Sequence, residues 1–362
     1  MKKKNRSNES GDQQPTARFL RACQRLPVDA TPVWFMRQAG RYMEEYRKIR
    51  AEHSFLEVAS NPELAAEVTL QPINAFDIDA AILFADILLP VEPMGLELEF
   101  ISGRGPVIHN PVRSDQDVQA LKPLEAETDL DYVMEAIRLV RRELEGREIP
   151  LIGFSGAPFT LASYMIEGGS SRNYLFAKKM MYHAPETWHR FMALVADALE
   201  SYLTAQIRAG AQAVQMFDSW VGALSPADYR DFVFPYSRQV LQAAEAEGVP
   251  VIHFGTGTAT LLDLMKDAGG TVIGLDWRVP LDAGWKQLGS EVAVQGNLEP
   301  AALLAPPKVL EKKIQAVLDQ AGGRPGHIFN LGHGIHKETD PGQVKLAVDL
   351  VHQLSAKDYQ NE

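Results

Sequence analysis

Short apolar runs that stop abruptly at a polar residue or glycine alternate with longer amphipathic stretches along most of this chain. The runs cover residues 32–40 (PVWFMRQAG), 79–86 (DAAILFAD), 150–156 (PLIGFSG), 213–219 (AVQMFDS), 250–255 (PVIHFG), 272–277 (VIGLDW), 292–297 (VAVQGN) and 327–332 (HIFNLG). Unbroken apolar runs suit strands buried on both faces, as in a parallel sheet. Helical periodicity fills the intervals, for example over 61–75, 186–209, 227–247 and 307–321. Asn61-Pro62 and Ser225-Pro226 open two of these stretches with a capping side chain followed by proline. Eight strand–helix units in roughly 330 residues predict an α/β fold, a single (β/α)8 TIM barrel. A doubly wound open sheet is the alternative.

A barrel of this kind builds its site where the strands end. The tips expected from the runs are Arg37-Gln38-Ala39-Gly40-Arg41, Asp86, Ser155, Asp218-Ser219, Gly255-Thr256-Gly257, Asp276, Asn297 and His333. Two arginines and several carboxylates would thus surround one mouth. The chain carries 36 Lys and Arg against 47 Asp and Glu, a formal net charge of −11. Arginines gathered at one site in such a protein point to an anionic ligand held locally against the global field.

Composition narrows the picture from outside. With 46% hydrophobic and 23% charged residues the chain reads as globular, not as a disordered chain or a strongly basic nucleic-acid binder. No membrane partner is expected, because no run approaches the roughly 18 uncharged apolar residues of a membrane helix. Cys23 stands alone, which excludes an internal disulfide and suits a reducing, cytoplasmic compartment. Residues 1–16 read as a disordered basic tail, 17–355 as the barrel and 356–362 as a frayed end.

Each candidate has a plainer use. Arg37 and Arg41 would share a helix face at i,i+4 spacing, yet both could be tied to nearby carboxylates. Asp86 could be a turn or cap residue, Ser219 could cap a turn, and Tyr164 could be a core tyrosine. The segment from Gly255 to Thr260 has the look of a phosphate cradle but lacks the third glycine of a dinucleotide site and the lysine of a P-loop. His333 and His336 have metal-ligand spacing, but flanking glycines argue for a loop and no metal site is expected.

Residues 32–42 (PVWFMRQAGRY) resemble the N-terminal signature of the uroporphyrinogen decarboxylase family. GFSGAPFTLASYMIEGG at 153–169, VQMFDSW at 214–220, VQGNL at 294–298 and FNLGHGI at 329–335 are similar to its later blocks, in the same order. Glu44 and Lys337 stand where the family often has proline, departures that bear on loop conformation rather than on the reaction. The resemblance implies a homodimeric, cofactor-free carboxy-lyase. It would convert four acetate side chains of uroporphyrinogen III to methyls, giving coproporphyrinogen III and four CO2. It also carries substrate contacts onto Arg37, Gln38, Ala39, Gly40, Arg41, Asp86, Tyr164, Ser219 and His333, with Asp86, Arg37, Tyr164 and His333 catalytic. Arg50 can add a further carboxylate contact, and the proton donor stays open between Arg37 and His333. A corrinoid-linked methyltransferase on the same barrel would need a His/Cys/Cys zinc set, for which only Cys23 is present; a non-catalytic tetrapyrrole binder would need no cation-stabilising carboxylate.

Overall fold

The computed structural model describes residues 15–101 and 103–357. Nine strands appear among them: β1 (Ala81–Ile82), β2 (Leu98–Ile101), β3 (Gly105–Ile108), β4 (Leu151–Gly156), β5 (Ala213–Asp218), β6 (Val251–Gly255), β7 (Val272–Gly274), β8 (Ala293–Gln295) and β9 (His327–Ile328). Seven of these form one parallel sheet in the order β1-β4-β5-β6-β7-β8-β9, with helices in every interval. Register runs Ile152↔Ala213 and Val214↔Val251 in the centre, and β4 and β6 are buried along their whole length. The continuous apolar runs therefore read correctly: helices cover the outer face of the sheet, so alternation disappears.

The first expected strand is the exception. Residues 32–40 contain no strand, only a parallel bridge between Val33 and Phe329. Segment 32–34 nevertheless bonds to both edges of the sheet. The Phe329 N–H donates to the Pro32 carbonyl (2.8 Å), the Trp34 N–H to the Phe329 carbonyl (3.3 Å), and the Asp79 N–H to the Val33 carbonyl (2.9 Å).

Of the expected helices, Pro62–Ala75, Pro185–Ala209 and Pro307–Ala321 form nearly as read. The stretch at 227–247 splits into Pro226–Phe232 and Phe234–Ala246, because Pro235 removes an N–H and forces the chain to restart. The antiparallel hairpin β2–β3 was not expected. It leans on the end of helix Pro158–Glu167, where Ile108 N–H donates to the Gly168 carbonyl (3.0 Å). Residues 1–14 of the basic tail and 358–362 of the C-terminus lie outside the described residues. Lys357 is held, its N–H donating to the Asp29 carbonyl (2.8 Å).

A polar chain crosses the inside of the sheet. Trp34 Nε1 donates to Gln295 Oε1 (3.0 Å), and Gln295 Nε2 donates to Gln215 Oε1 (2.9 Å), joining β8 to β5 across the interior. Phe217 follows Gln215 by two residues and so shares its inner face. Its ring meets Phe154 and Phe254 edge-on at 5.5 and 5.9 Å. These three rings make an apolar floor just below the strand tips.

Candidate active site

Residues 36–42 form turns, not a helix, so Arg37 and Arg41 do not share a helix face as expected. Gln38 is the physical reason. Its Oε1 accepts from Phe35 N–H (3.0 Å), its Nε2 donates to the Ala80 carbonyl (3.0 Å), and its carbonyl accepts the Tyr42 hydroxyl (2.5 Å). The side chain is 1% exposed, and both ends of its amide are spent on the loop. Arg37 is left in the left-handed region (φ 61°) with its side chain exposed. Ala39 is half-buried, and Gly40 closes the turn by accepting Met43 N–H (3.0 Å). Among the described residues neither Arg37 nor Arg41 forms an ion pair. The plainer use left open for them is not realised. Arg50 turns instead to the His53 carbonyl and the Phe55 ring (5.9 Å).

Asp86 sits four residues past β1, half-buried. One oxygen accepts Leu88 N–H (2.9 Å), which is the local turn bond foreseen as its plainer use. Among the described residues no other donor reaches its carboxylate. Burial pushes the carboxyl up to about 6, against the opposing pull of the Leu88 N–H and the Arg37 guanidinium. Tyr164, on helix Pro158–Glu167, lies in the field of both Asp86 and Arg37, and burial ahead of Asp86 raises its phenol above the ordinary value. Its ring leans on Trp220 (6.0 Å), which leans on Tyr174 (6.0 Å).

His333 stands in a loop laced to the Arg37 turn, for Ile335 N–H donates to the Met36 carbonyl (2.9 Å) and Asn330 Oδ1 accepts Met36 N–H (3.2 Å). The glycines on either side permit that closeness. A Cβ on Gly332 would fall 2.3 Å from the Trp277 nitrogen, and one on Gly334 would fall 2.4 Å from Arg37 Cδ. Burial, then Arg37, His336 and Arg278, push His333 down to about 4. Its Nδ1 accepts Gly334 N–H (2.8 Å), so the neutral ring carries its proton on Nε2 and offers a donor.

The remaining tips divide by the side of the sheet they face. Ser219 is half-buried, and its carbonyl accepts the Thr256 hydroxyl (2.6 Å). Asp218, offset by one from Phe217, points outward and accepts the Thr160 hydroxyl (3.0 Å). Ser155 pairs with Met216 in register and shares that outward face. Asp276 is fully buried and accepts Gly257 N–H (2.6 Å), so the glycine-rich turn spends that donor on the protein. Asn297 braces the same turn through the Asp276 and Val279 carbonyls (2.8 and 2.6 Å). His336 is exposed, and among the described residues no three His, Cys, Asp or Glu are grouped to hold a metal. Glu44 opens helix Glu44–Glu52 and pairs with Lys48 (2.9 Å), while Lys337 is exposed beside Glu338. Sequence reading singled out neither Arg278, two residues past a tip aspartate, nor the three-ring floor. Period-two spacing from Gln215 was the signal available for Phe217.

The family model described as Uroporphyrinogen decarboxylase (URO-D) matches residues 14–354. A protein of Sorangium cellulosum with that name is 57% identical over 345 residues, 95% of this chain and 98% of its own length. One of Carboxydothermus hydrogenoformans, likewise named, is 56% identical over 342 residues, 94% of this chain and 97% of its own. Among solved structures, a methyltransferase from Methanosarcina mazei superposes with a TM-score of 0.79 at 21% identity, covering 93% of this chain and 97% of that one. At that identity the likeness speaks for the fold alone.

Proposed function

The chain belongs to the uroporphyrinogen decarboxylase family, and from that premise we propose how its mouth performs the reaction. The enzyme converts the four acetate side chains of uroporphyrinogen III to methyl groups, giving coproporphyrinogen III and four CO2. We read segment 32–34 as the eighth stave that closes the sheet, since it bonds to both edges.

Loss of CO2 from a pyrrole acetate leaves an electron pair on the methylene carbon. Protonation of a pyrrole carbon first turns the ring into an azafulvenium-like cation able to accept that pair, so the substrate is its own electron sink. A second proton then reaches the exocyclic methylene while the ring proton leaves. The net exchange is one proton for one CO2. Asp86 carries this reading: it is a half-buried carboxylate with one local N–H bond, beside Arg37 and Tyr164 at the mouth. Turned to the pyrrole N–H groups, it stabilises the cation by charge already in place. Arg37 and Arg41 take peripheral carboxylates, with the backbone of Ala39 and Gly40 beside them. Ser219 and the His333 Nε2–H add neutral donors, and Tyr164 donates its phenol. Gln38 is buried and spent, so its part is to position Arg37. The low value of His333 leaves it a donor in the free enzyme, and the incoming polyanion pulls that value upward.

The test is anaerobic incubation with reduced uroporphyrinogen III, followed by oxidation and a count of carboxyl groups. Four remaining carboxyls are expected, whereas eight would overturn the reading. We also propose a homodimer, supported by Leu175, Phe176 and Tyr182, three large apolar side chains exposed on helix Leu175–His183. Light scattering should return twice the chain mass, and a monomer at micromolar concentration would end that proposal. A cytoplasmic location accords with the lone, unpaired cysteine.

A further inference from the structure

We propose that Arg278 is a further substrate-binding residue, which takes a peripheral carboxylate of the macrocycle on the side of His333 away from Arg37. The inference rests on the decarboxylase reading and deepens it.

Arg278 is placed with care by its surroundings. The turn that carries it is pinned by Asp276, which accepts Arg278 N–H (2.9 Å) and Gly257 N–H (2.6 Å), and by the Asn297 amide below. Its guanidinium lies over the Trp277 ring, 4.0 Å from the centroid. One N–H from NH1 reaches Asp276 Oδ2 (2.5 Å). A guanidinium has five N–H groups, and the side chain remains 53% exposed. Among the described residues its other four donors have no protein partner, and the head is held by stacking and one ion pair, so little rotamer freedom is left to lose on binding.

The location points to the substrate. Gly332 packs on the Trp277 backbone and Gly334 on the Arg37 side chain, so the turns that carry the two arginines flank His333. Behind burial, the charges of both guanidinium groups lower the His333 pKa, in keeping with that placement. A ligand bearing eight carboxylates around a ring needs cations at several bearings, and Arg37 with Arg41 supplies only one sector. Neutralising Asp276 is the plainer job for Arg278, but that carboxylate already has two backbone N–H donors, which a change of side chain leaves in place.

The experiment compares Arg278→Gln and Arg278→Lys with the parent and with Arg37→Gln, in the full chain with uroporphyrinogen III. Arg278→Gln should raise KM about tenfold with kcat within about twofold, and Lys should recover part of the loss. Raising the salt should weaken KM less in Arg278→Gln than in the parent, since one charge contact is gone. An unchanged KM, or a fall in kcat at constant KM with a lowered Tm, would assign Arg278 to bracing Asp276 and overturn the proposal. If Arg37→Gln is impaired while Arg278→Gln is not, this inference alone fails. If neither is impaired, the reading of the whole mouth fails with it.

Discussion

Where the strands begin, Arg18 grips Asp29 with two N–H groups (2.8 and 2.6 Å) and Asp79 with a third (2.6 Å). Asp79 in turn accepts Val33 N–H (2.7 Å) and meets His352 (2.8 Å), which joins the first helix, segment 32–34 and the last helix. Where the strands stop, among the described residues Arg37 and Arg41 have no acidic partner and the Asp86 carboxylate has a single, local donor. Charge at the first end is consumed by the fold, whereas at the second Arg37, Arg41 and Asp86 are left to the ligand on the proposed reading, and Asp276 is paired with Arg278. The same residue types thus stand in opposite settings, and the donors and acceptors left without a protein partner tell them apart better than type or spacing.

Asp86→Asn breaks the comparison hardest. Removing a charge preorganised for the cation should lower kcat by roughly 10²–10³, about 3–4 kcal/mol, with binding less affected. The same change should stabilise the fold. A carboxyl raised to about 6 from 3.8 carries no penalty below its unfolded value and an increasing one as pH rises through 6. At about 1.4 kcal/mol per unit the full shift is worth up to about 3 kcal/mol, and partial exposure reduces this to about 1–2. Parent and variant should therefore melt together near pH 4 and diverge by pH 7. The proposed mechanism requires the ionised form, so kcat/KM of the parent should fall on acidification with a midpoint near 6, and the variant should lack that limb. Near-normal turnover in a folded Asp86→Asn protein would reduce the residue to its turn bond.

Asp79→Asn tests the other end. Arg18 would lose a charged partner, at a cost of about 2–3 kcal/mol in stability, while kcat of the folded protein stays near that of the parent. Urea denaturation and turnover on one sample separate the two. A fall in kcat with stability intact would mean that the ends are coupled through segment 32–34.

How much of this division could be read beforehand depended on how local its causes were. Tips such as Asp86 and His333 were legible because an apolar run announces where a strand stops. The turn at 36–42 was not, because it is imposed by Gln38 reaching Ala80, forty-two positions away. Asp218 and Ser155 looked equivalent to Ser219, yet a one-residue offset sends the first two outward. Arg278 was invisible for a similar reason: only the fold brings its turn against Gly332. The charge network around Asp79 depends on four segments that meet only in three dimensions.

Gly334→Ala should have a smaller effect at the mouth. An added Cβ would lie 2.4–3.0 Å from Arg37 Cδ, Cγ and Nε, so the arginine must move aside. The expected result is a rise in KM of about five- to tenfold, with Tm nearly unchanged, since the displaced side chain is exposed. Parent-like kinetics would show that Arg37 has room to return to the same place.

Cys23→Ser should matter least, and only for stability. The thiol is buried on helix Arg18–Cys23, which packs against β9, and Arg18 of the same helix is held at the end where the strands begin. Serine puts a hydroxyl in an apolar position and should cost about 1–2 kcal/mol, seen as a lower midpoint in urea, with kcat and KM unchanged. Burial also pushes the thiol far above its ordinary range, so the reactive thiolate is scarce in the native state. Iodoacetamide at pH 8 should therefore leave the folded enzyme active and label Cys23 only after denaturation. Rapid inactivation of the native protein, prevented by the serine variant, would bring the two ends closer in function than their charge patterns imply.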